Sequence, residues 1–252
     1  MDTSNIGNRM KGYEQVSKTR LMKRTPVALR LDGKAFHTFC KGFEKPFDQI
    51  MVNSMIETTK YLCQNIQGCV FGYTQSDEIT LILIDYQTFE TDAWFDYEVQ
   101  KLCSISASMA TMFFNKKFKE FVKNAYEYGN INENDFLNIY SKDAMFDSRC
   151  FNISKEEVCN LIYWRQLDAI RNSILSIGQA NFSQKELQNK SCNEIKEMLK
   201  PIGQNIDKYP TYLQRGSAFY KKDNYWIADL DMPILKGDNR KYVEKHIFLE
   251  ED

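Results

Sequence analysis

Apolar positions along the chain alternate between two spacings, and each change of spacing marks an element. Pro26 to Leu31 (Pro-Val-Ala-Leu-Arg-Leu) is a short apolar run that stops at Asp32-Gly33, the signature of a buried strand ending in a turn. From Phe47 the apolar or small residues recur at Ile50, Met51, Ser54, Met55, Thr58, Tyr61 and Leu62, with Pro46 ahead of them, which predicts a helix. Gly68 to Thr74 and Glu78 to Ile84 predict two strands around Gln75-Ser76-Asp77, a hairpin with a polar tip. A long helical pattern covers Trp94 to about Phe121, and a polar, irregular insertion is expected through about Asp143. Ala144 to Ile153 returns to strand character. Ser154 with Glu157 three residues on predicts a capping box that opens a helix running to about Ile177, before Gly178. Beyond it come a short helix around Leu187, another from Ser191 to Lys200, and two strand-like runs, Thr211 to Tyr220 and Tyr225 to Leu230.

From Pro26 to Ile153 the order is strand, helix, strand, strand, helix, strand. Such βαββαβ order predicts an α+β fold of ferredoxin-like type, an antiparallel sheet with both helices on one face. Residues 1–153 are expected to form this core with a basic N-terminal segment, and residues 154–252 an appended α/β part.

Composition narrows the class. The chain has 252 residues with 33 Lys and Arg against 34 Asp and Glu, which suits an ordinary globular protein. No apolar run approaches the ~20 residues of a membrane span. Met1 to Arg24 is polar and lacks the apolar core of an export signal, so a cytoplasmic location without a membrane partner is expected. Seven cysteines without Cys-x-x-Cys spacing argue against a disulfide framework or a structural zinc site. With His37 and His246 the only histidines, a metal here would sit on oxygen ligands, which favours magnesium.

Charge is unevenly distributed. Residues 1–30 carry seven bases and two acids, residues 76–98 seven acids and no base, and residues 183–222 eight bases and four acids. Two basic ends around an acidic middle suit a polyanionic substrate, and solvated surface charge is the alternative.

In a ferredoxin-like sheet the end of the first strand and the tip of the central hairpin are neighbours. That brings Asp32 close to Asp77-Glu78. Two converging carboxylates repel each other, and a divalent cation relieves them. Asp32, Asp77 and a backbone carbonyl such as that of Gly33 are too few for a closed cage, which suits magnesium sharing its shell with water and phosphate. Two such ions could activate a hydroxyl and hold pyrophosphate. Gly33 to His37 would present backbone N–H groups to a triphosphate; an Asp-Gly turn without a ligand reads the same way. Lys45 and Lys101 are candidate counter-charges, Lys101 sharing a face with Ser104 and Ser108. On the Ser154 helix, Arg165, Asp168 and Asn172 continue the face begun by Val158, Leu161 and Ile162, with Arg171 at its edge, so that face could run from core to cleft. Trp164, Tyr209, Tyr212 and Tyr220 fit core packing better than base stacking.

These residues resemble a known family. Met10-Lys11-Gly12-Tyr13-Glu14, Arg30-Leu31-Asp32-Gly33-Lys34-Ala35-Phe36-His37, Lys45-Pro46-Phe47-Asp48, Tyr73-Thr74-Gln75-Ser76-Asp77-Glu78-Ile79, Lys101 with Ser106-Ala107-Ser108, Phe146-Asp147-Ser148-Arg149 and Trp164-Arg165-Gln166 are similar to the tRNA-His guanylyltransferase superfamily. The resemblance implies a polymerase-type palm that adds nucleotides to the 5′ end of tRNA. It implies that Asp32, the Gly33 carbonyl and Asp77 hold two magnesium ions and that Glu78 assists as a third catalytic carboxylate. It further implies that Gly33, Lys34, Ala35, Phe36, His37 and Ser76 contact nucleotide, and that Lys45, Lys101 and Arg149 neutralise phosphates. Arg165, Asp168, Arg171, Asn172, Lys190 and Arg215 are the remaining expected RNA or phosphate contacts. ATP and GTP are the expected nucleotides, and a homotetramer the expected assembly. Ile170 stands where true tRNA-His enzymes have histidine, and Arg171-Asn172-Ser173 followed by Gly178-Gln179-Ala180-Asn181-Phe182-Ser183 resembles the guanylyltransferase-like branch. That branch implies templated repair of truncated tRNA, with single-G addition to tRNA-His as the alternative. A palm-type nucleotidyl cyclase and a catalytically dead RNA-binding module are the competing readings. The basic ends weigh against the first, and intact Asp32 and Asp77 against the second.

Overall fold

The computed structural model describes residues 4–249; the residues 1–3 and 250–252 included in the expected division of the chain lie outside the described residues. In chain order the elements are α1 (Asn5–Val16), β1 (Val27–Gly33), α2 (Phe36–Phe39), α3 (Gln49–Asn65), β2 (Cys69–Gln75), β3 (Glu78–Leu83), α4 (Val99–Glu127), α5 (Glu133–Tyr140), β4 (Phe146–Asn152), α6 (Lys155–Asn181), α7 (Gln184–Leu187), α8 (Cys192–Leu199), α9 (Thr211–Arg215), β5 (Ser217–Lys222), β6 (Tyr225–Asp229) and α10 (Lys241–Glu244). The strands form one sheet in the order β4-β1-β3-β2-β5-β6, every pairing antiparallel. The run β4-β1-β3-β2 is the expected βαββαβ unit. The two runs expected in an appended part join that sheet through β5, which pairs with β2.

Strand alternation decides what each face carries. From β1, Val27, Leu29 and Leu31 enter the core under α3 and α4, where they meet Met55, Leu62, Phe114 and Phe118. Ala28 points the other way, into a second core with Val158 and Ile162 of α6 and Val243 of α10. Arg30 and Asp32 follow Ala28 in alternation and so belong to the α6 side. The sheet is therefore covered on both faces, with α6 supplying the second layer. A smaller cluster, Ile174, Ile177, Ile195, Leu199 and Ile206, holds α8 against the end of α6.

Several boundaries depart from expectation. Trp94–Tyr97 is a tight turn with positive φ at Phe95, Asp96 and Tyr97, so α4 starts only at Val99. It runs on to Glu127 because Phe114, Phe118 and Val122 continue a buried stripe at four-residue spacing. The expected irregular insertion contains α5, capped by Asn132, whose side chain accepts from the Asp135 amide; Tyr126 and Phe136 stack 4.5 Å apart to join the two helices. Ser154 does start α6 but its side chain makes no capping bond, and the Glu157 carboxylate accepts from Asn160 at 3.1 Å. Nor does α6 stop at Gly178, which lies inside it where an added Cβ would sit 2.9 Å from Ile195 of α8. Thr211–Arg215 is helical rather than extended, led in by Pro210. All seven cysteines are free thiols, and among the described residues no helix is long and apolar enough to cross a membrane.

The acidic middle and the basic N-terminal segment neutralise one another. Arg20 and Lys23 both pair with Asp96, and the Arg24 guanidinium donates to the carbonyls of Asp85, Thr88 and Phe89. Those three bases are engaged within the fold.

Candidate active site

The end of β1 and the tip of the β2–β3 hairpin are joined by main chain. Asp32 pairs with Glu78 on one side and Asp147 on the other, and the Gly33 N–H donates to the Asp77 carbonyl at 3.1 Å. Ser76 and Asp77 make a two-residue turn, Ser76 with φ of 51° and its hydroxyl donating to Asp77 Oδ1 at 3.0 Å. Gly33 is required by packing: a Cβ there would lie 2.2 Å from Cδ2 of Phe36. The Phe36 ring is buried against Phe39, Phe114 and Phe146, so the chain reverses over an aromatic base that fixes the strand end. Ala35, with positive φ, leads into α2.

The three central carboxylates differ in their electrostatics. Burial raises the Asp77 pKa, the Ser76 hydroxyl and a backbone bond offset part of that, and Asp32 and Glu78 raise it further. Asp32 is raised by burial and then by Glu78 and Asp147, with Arg149 and Arg30 opposing. Among the described residues no basic side chain forms an ion pair with either. Glu78, by contrast, is held by Arg165 (Nε–Oε2 3.0 Å) and by Arg30 (3.4 Å). Arg165 also pairs with Asp168 at 2.6 Å, and Asp168 with Arg171 at 2.9 Å.

Beside the hairpin tip opens a cavity of about 510 Å³, a size that suits a nucleotide. Phe36, His37, Lys45, Asp48, Ser76 and Asp77 line its near side, and Ala169, Asn172 and Ser173 of α6 with Leu213, Gly216 and Ser217 its far side. Of the expected nucleotide contacts, Phe36, His37, Lys45, Ser76 and Asp77 are thus brought together. Phe36 is a core residue that presents an edge, while Gly33, Lys34 and Ala35 form the turn leading in; the Lys34 N–H donates to the Met145 carbonyl.

Other expectations change. Lys101 lies towards the opposite end of the sheet: Cys150 faces Val99 and Cys103 of α4, whereas Phe146, beside Gly33, meets α4 at Thr111 and Phe114. Its ammonium sits over the Phe95 ring, 5.7 Å from the centroid. Arg165 is 4% exposed and engaged by the Glu78 and Asp168 carboxylates. Asp168 is the link in that chain, and Asn172 donates to it at 3.4 Å while also lining the cavity. Arg215 donates from Nε to the Met232 carbonyl, tying down the C-terminal segment. Lys190 pairs with Glu194 beside α8. Arg149 is exposed, opposite Arg30 in register and 3.1 Å from Asp147. Trp164 is no core residue. It is 53% exposed, with the guanidinium groups of Arg165 and Arg30 over its ring at 4.2 and 5.3 Å.

Gln75 and the Leu213–Ser217 part of the far wall lie outside the expected contacts, whereas Asn172 of α6 is an expected one on the face read as running from core to cleft. Asp48 carried a signal, being an acidic residue just before a helix; it caps α3 by accepting from the Met51 amide at 2.9 Å. The Leu213–Ser217 part carried none, because it is remote from the hairpin in sequence.

Two uncompensated carboxylates beside a backbone turn fit an open magnesium site whose remaining ligands are water and phosphate. No cluster of three or more His, Cys, Asp or Glu placed to hold a metal ion occurs among the described residues.

Comparison with known proteins gives a concordant picture. A family model described as tRNA-His guanylyltransferase matches residues 7–154. Solved structures of a bacterial tRNA(His) guanylyltransferase-like protein superpose over 97% of this chain and 100% of theirs: the ATP complex with a TM-score of 0.85 at 37% identity, the GTP complex with 0.76 at 36%. The tRNA(His) guanylyltransferase of Schizosaccharomyces pombe is 27% identical over 251 residues, 94% of this chain and 85% of the yeast protein. An uncharacterized protein of Acanthamoeba polyphaga mimivirus is 32% identical over 188 residues, 67% of this chain; the matched region spans 60% of the viral protein.

Proposed function

This chain belongs to the tRNA-His guanylyltransferase family, and on that premise we propose that it is a template-dependent 3′→5′ nucleotidyltransferase that repairs the 5′ end of truncated tRNA. The observation that supports this most is the Asp32 and Asp77 pair, half-buried and without an ion-pair partner, beside a cavity of about 510 Å³. The bacterial relative's complexes with ATP and GTP support nucleotide in that cavity.

In this reading a 5′-phosphate oxygen of the RNA attacks the α-phosphorus of ATP or GTP, and pyrophosphate leaves. The 3′-hydroxyl of the incoming nucleotide then attacks the activated 5′ phosphorus, and the nucleoside monophosphate leaves; a 5′-triphosphorylated RNA loses pyrophosphate directly. Asp32, the Gly33 carbonyl and Asp77 would hold magnesium, which supplies charge neutralisation and acidifies the attacking hydroxyl. Lys45 and His37 orient the triphosphate, with the N–H groups of Ala35, Phe36 and His37 beside them, those of Gly33 and Lys34 being bonded to the Asp77 and Met145 carbonyls. Glu78, fixed by Arg30 and Arg165, holds the α6 side of the sheet in register with the carboxylates. Exposed Arg149 and Arg171 are the bases on that side available to RNA phosphates. Catalysis on this plan is mostly positioning and charge neutralisation. The tetramer, and the assignment of residues 154–252 to RNA holding, belong to the same proposal.

Single-G addition to tRNA-His is the second reading, favoured by the match along 94% of the chain to the S. pombe enzyme. One experiment separates the two. Truncated tRNAs of several identities, 5′-labelled, are incubated with protein, magnesium and nucleoside triphosphates. Templated growth on tRNAs other than tRNA-His supports repair; growth on tRNA-His alone, by one G, replaces it with the second reading. A cyclic nucleotide formed without RNA would sink both.

A further inference from the structure

We infer that Gln75 is a recognition residue for the nucleoside part of the nucleotide in this cavity, an inference that rests on the nucleotide reading above. Four buried side-chain polar atoms lack a hydrogen-bond partner among the described residues: Gln75 Nε2, Tyr97 Oη, Arg165 Nε and His246 Nε2. Arg165 Nε lies against the Glu78 carboxylate as a charge contact, and Tyr97 and His246 do not line the cavity. Gln75 does, and it is only 7% exposed.

Its neighbours in the cavity wall are satisfied. The Thr74 hydroxyl donates to the Glu78 carbonyl at 2.8 Å, and the Ser173 hydroxyl to the Leu213 carbonyl at 2.6 Å. A buried amide left unpaired is unfavourable for the free protein, and a ligand that pairs with it recovers that free energy. Strand alternation aims Gln75 the same way as Phe71 and Tyr73, towards α6 and α9, where Ala169 and Gly216 complete the wall. Only Ser76 separates it from Asp77, the phosphate end of the site, and the group next to the phosphates along a nucleotide is the nucleoside. A carboxamide both donates and accepts, which matches the hydroxyls of a sugar or the edge of a base.

The test compares wild type with Gln75→Leu, similar in size and without polar atoms, by calorimetric binding of ATP, GTP, 2′-deoxy-ATP and tripolyphosphate, each with magnesium. Expected is about tenfold weaker binding of ATP and GTP, the scale of one lost hydrogen bond, with tripolyphosphate unchanged. The ligand-free variant should melt no lower than wild type, because it no longer buries an unpaired amide. A loss confined to ribonucleotides locates the contact on the 2′-hydroxyl, and an equal loss with 2′-deoxy-ATP locates it elsewhere on the nucleoside. Unchanged ATP and GTP binding, or an equal loss for tripolyphosphate, would overturn the inference. A wild-type protein that binds neither nucleotide would take the nucleotide reading down with it.

Discussion

Asp77 and Glu78 are consecutive acids at one hairpin, and the fold treats them oppositely. Asp77 sits in the turn, buried enough to raise its pKa and with no basic side chain paired to it. Glu78 is the first residue of β3, on the face shared with Arg30 and packed by α6, and two guanidinium groups neutralise it. Asp32 resembles Asp77 in this respect although it lies in a different strand. Local density of acids therefore says little about which of them can take a cation. What decides it is whether a neighbour already supplies the positive charge.

The sharpest way to break this comparison is to neutralise one member at a time. Asp77→Asn should lower 5′ extension by at least about 10³-fold, the scale seen when preorganised charge stabilisation is lost, while the protein stays folded; residual growth near wild-type level would contradict its role. Arg165→Met should act in the other direction, on stability. It leaves Glu78 with only the longer Arg30 contact and Asp168 with only the exposed Arg171, and a loss of about 3 kcal/mol in denaturant unfolding is expected. Magnesium should raise the melting temperature of the wild type, equivalent to about 2.7 kcal/mol at a hundred times its dissociation constant. That rise should vanish in Asp32→Asn and persist in Glu78→Gln. The smallest expected effect is with pH. Because the folded pKa values of Asp32 and Asp77 lie above the ordinary aspartate value of 3.8, the folded state binds the extra protons. Their contribution to metal-free stability is present below 3.8 and lost as pH rises through the raised values. Asp32→Asn should flatten that part of the profile.

Much of the fold was legible because β1, β2, β3 and α3 each keep one clean period and stop at a turn signal. The convergence of Asp32 and Asp77 followed from strand order alone. What stayed hidden depended on partners distant in sequence. Arg165 belongs to the expected polar stripe and Trp164 to the expected core, and nothing in the spacing reveals that Arg165 is buried on Glu78 while Trp164 lies open to solvent. The same limit governs capping. Ser154, Ser183 and Ser191 are each followed three residues later by Glu, yet only the last two close the reciprocal box; at Ser154 the Glu157 carboxylate is bonded to Asn160 instead. Lys101 is a candidate counter-charge both by its spacing to Ser104 and Ser108 and by resemblance, yet α4 carries it towards the far end of the sheet.

The bond from the Gly33 amide to the Asp77 carbonyl makes the gap between the two aspartates a property of the main chain. Side-chain substitutions around the cavity can alter affinity without changing that gap, which persists for as long as the ends of β1 and the hairpin stay together. The protection of this one amide against hydrogen exchange thus gives a clock for the site: its opening rate is the rate at which the carboxylates part, readable in the resting protein with no substrate added.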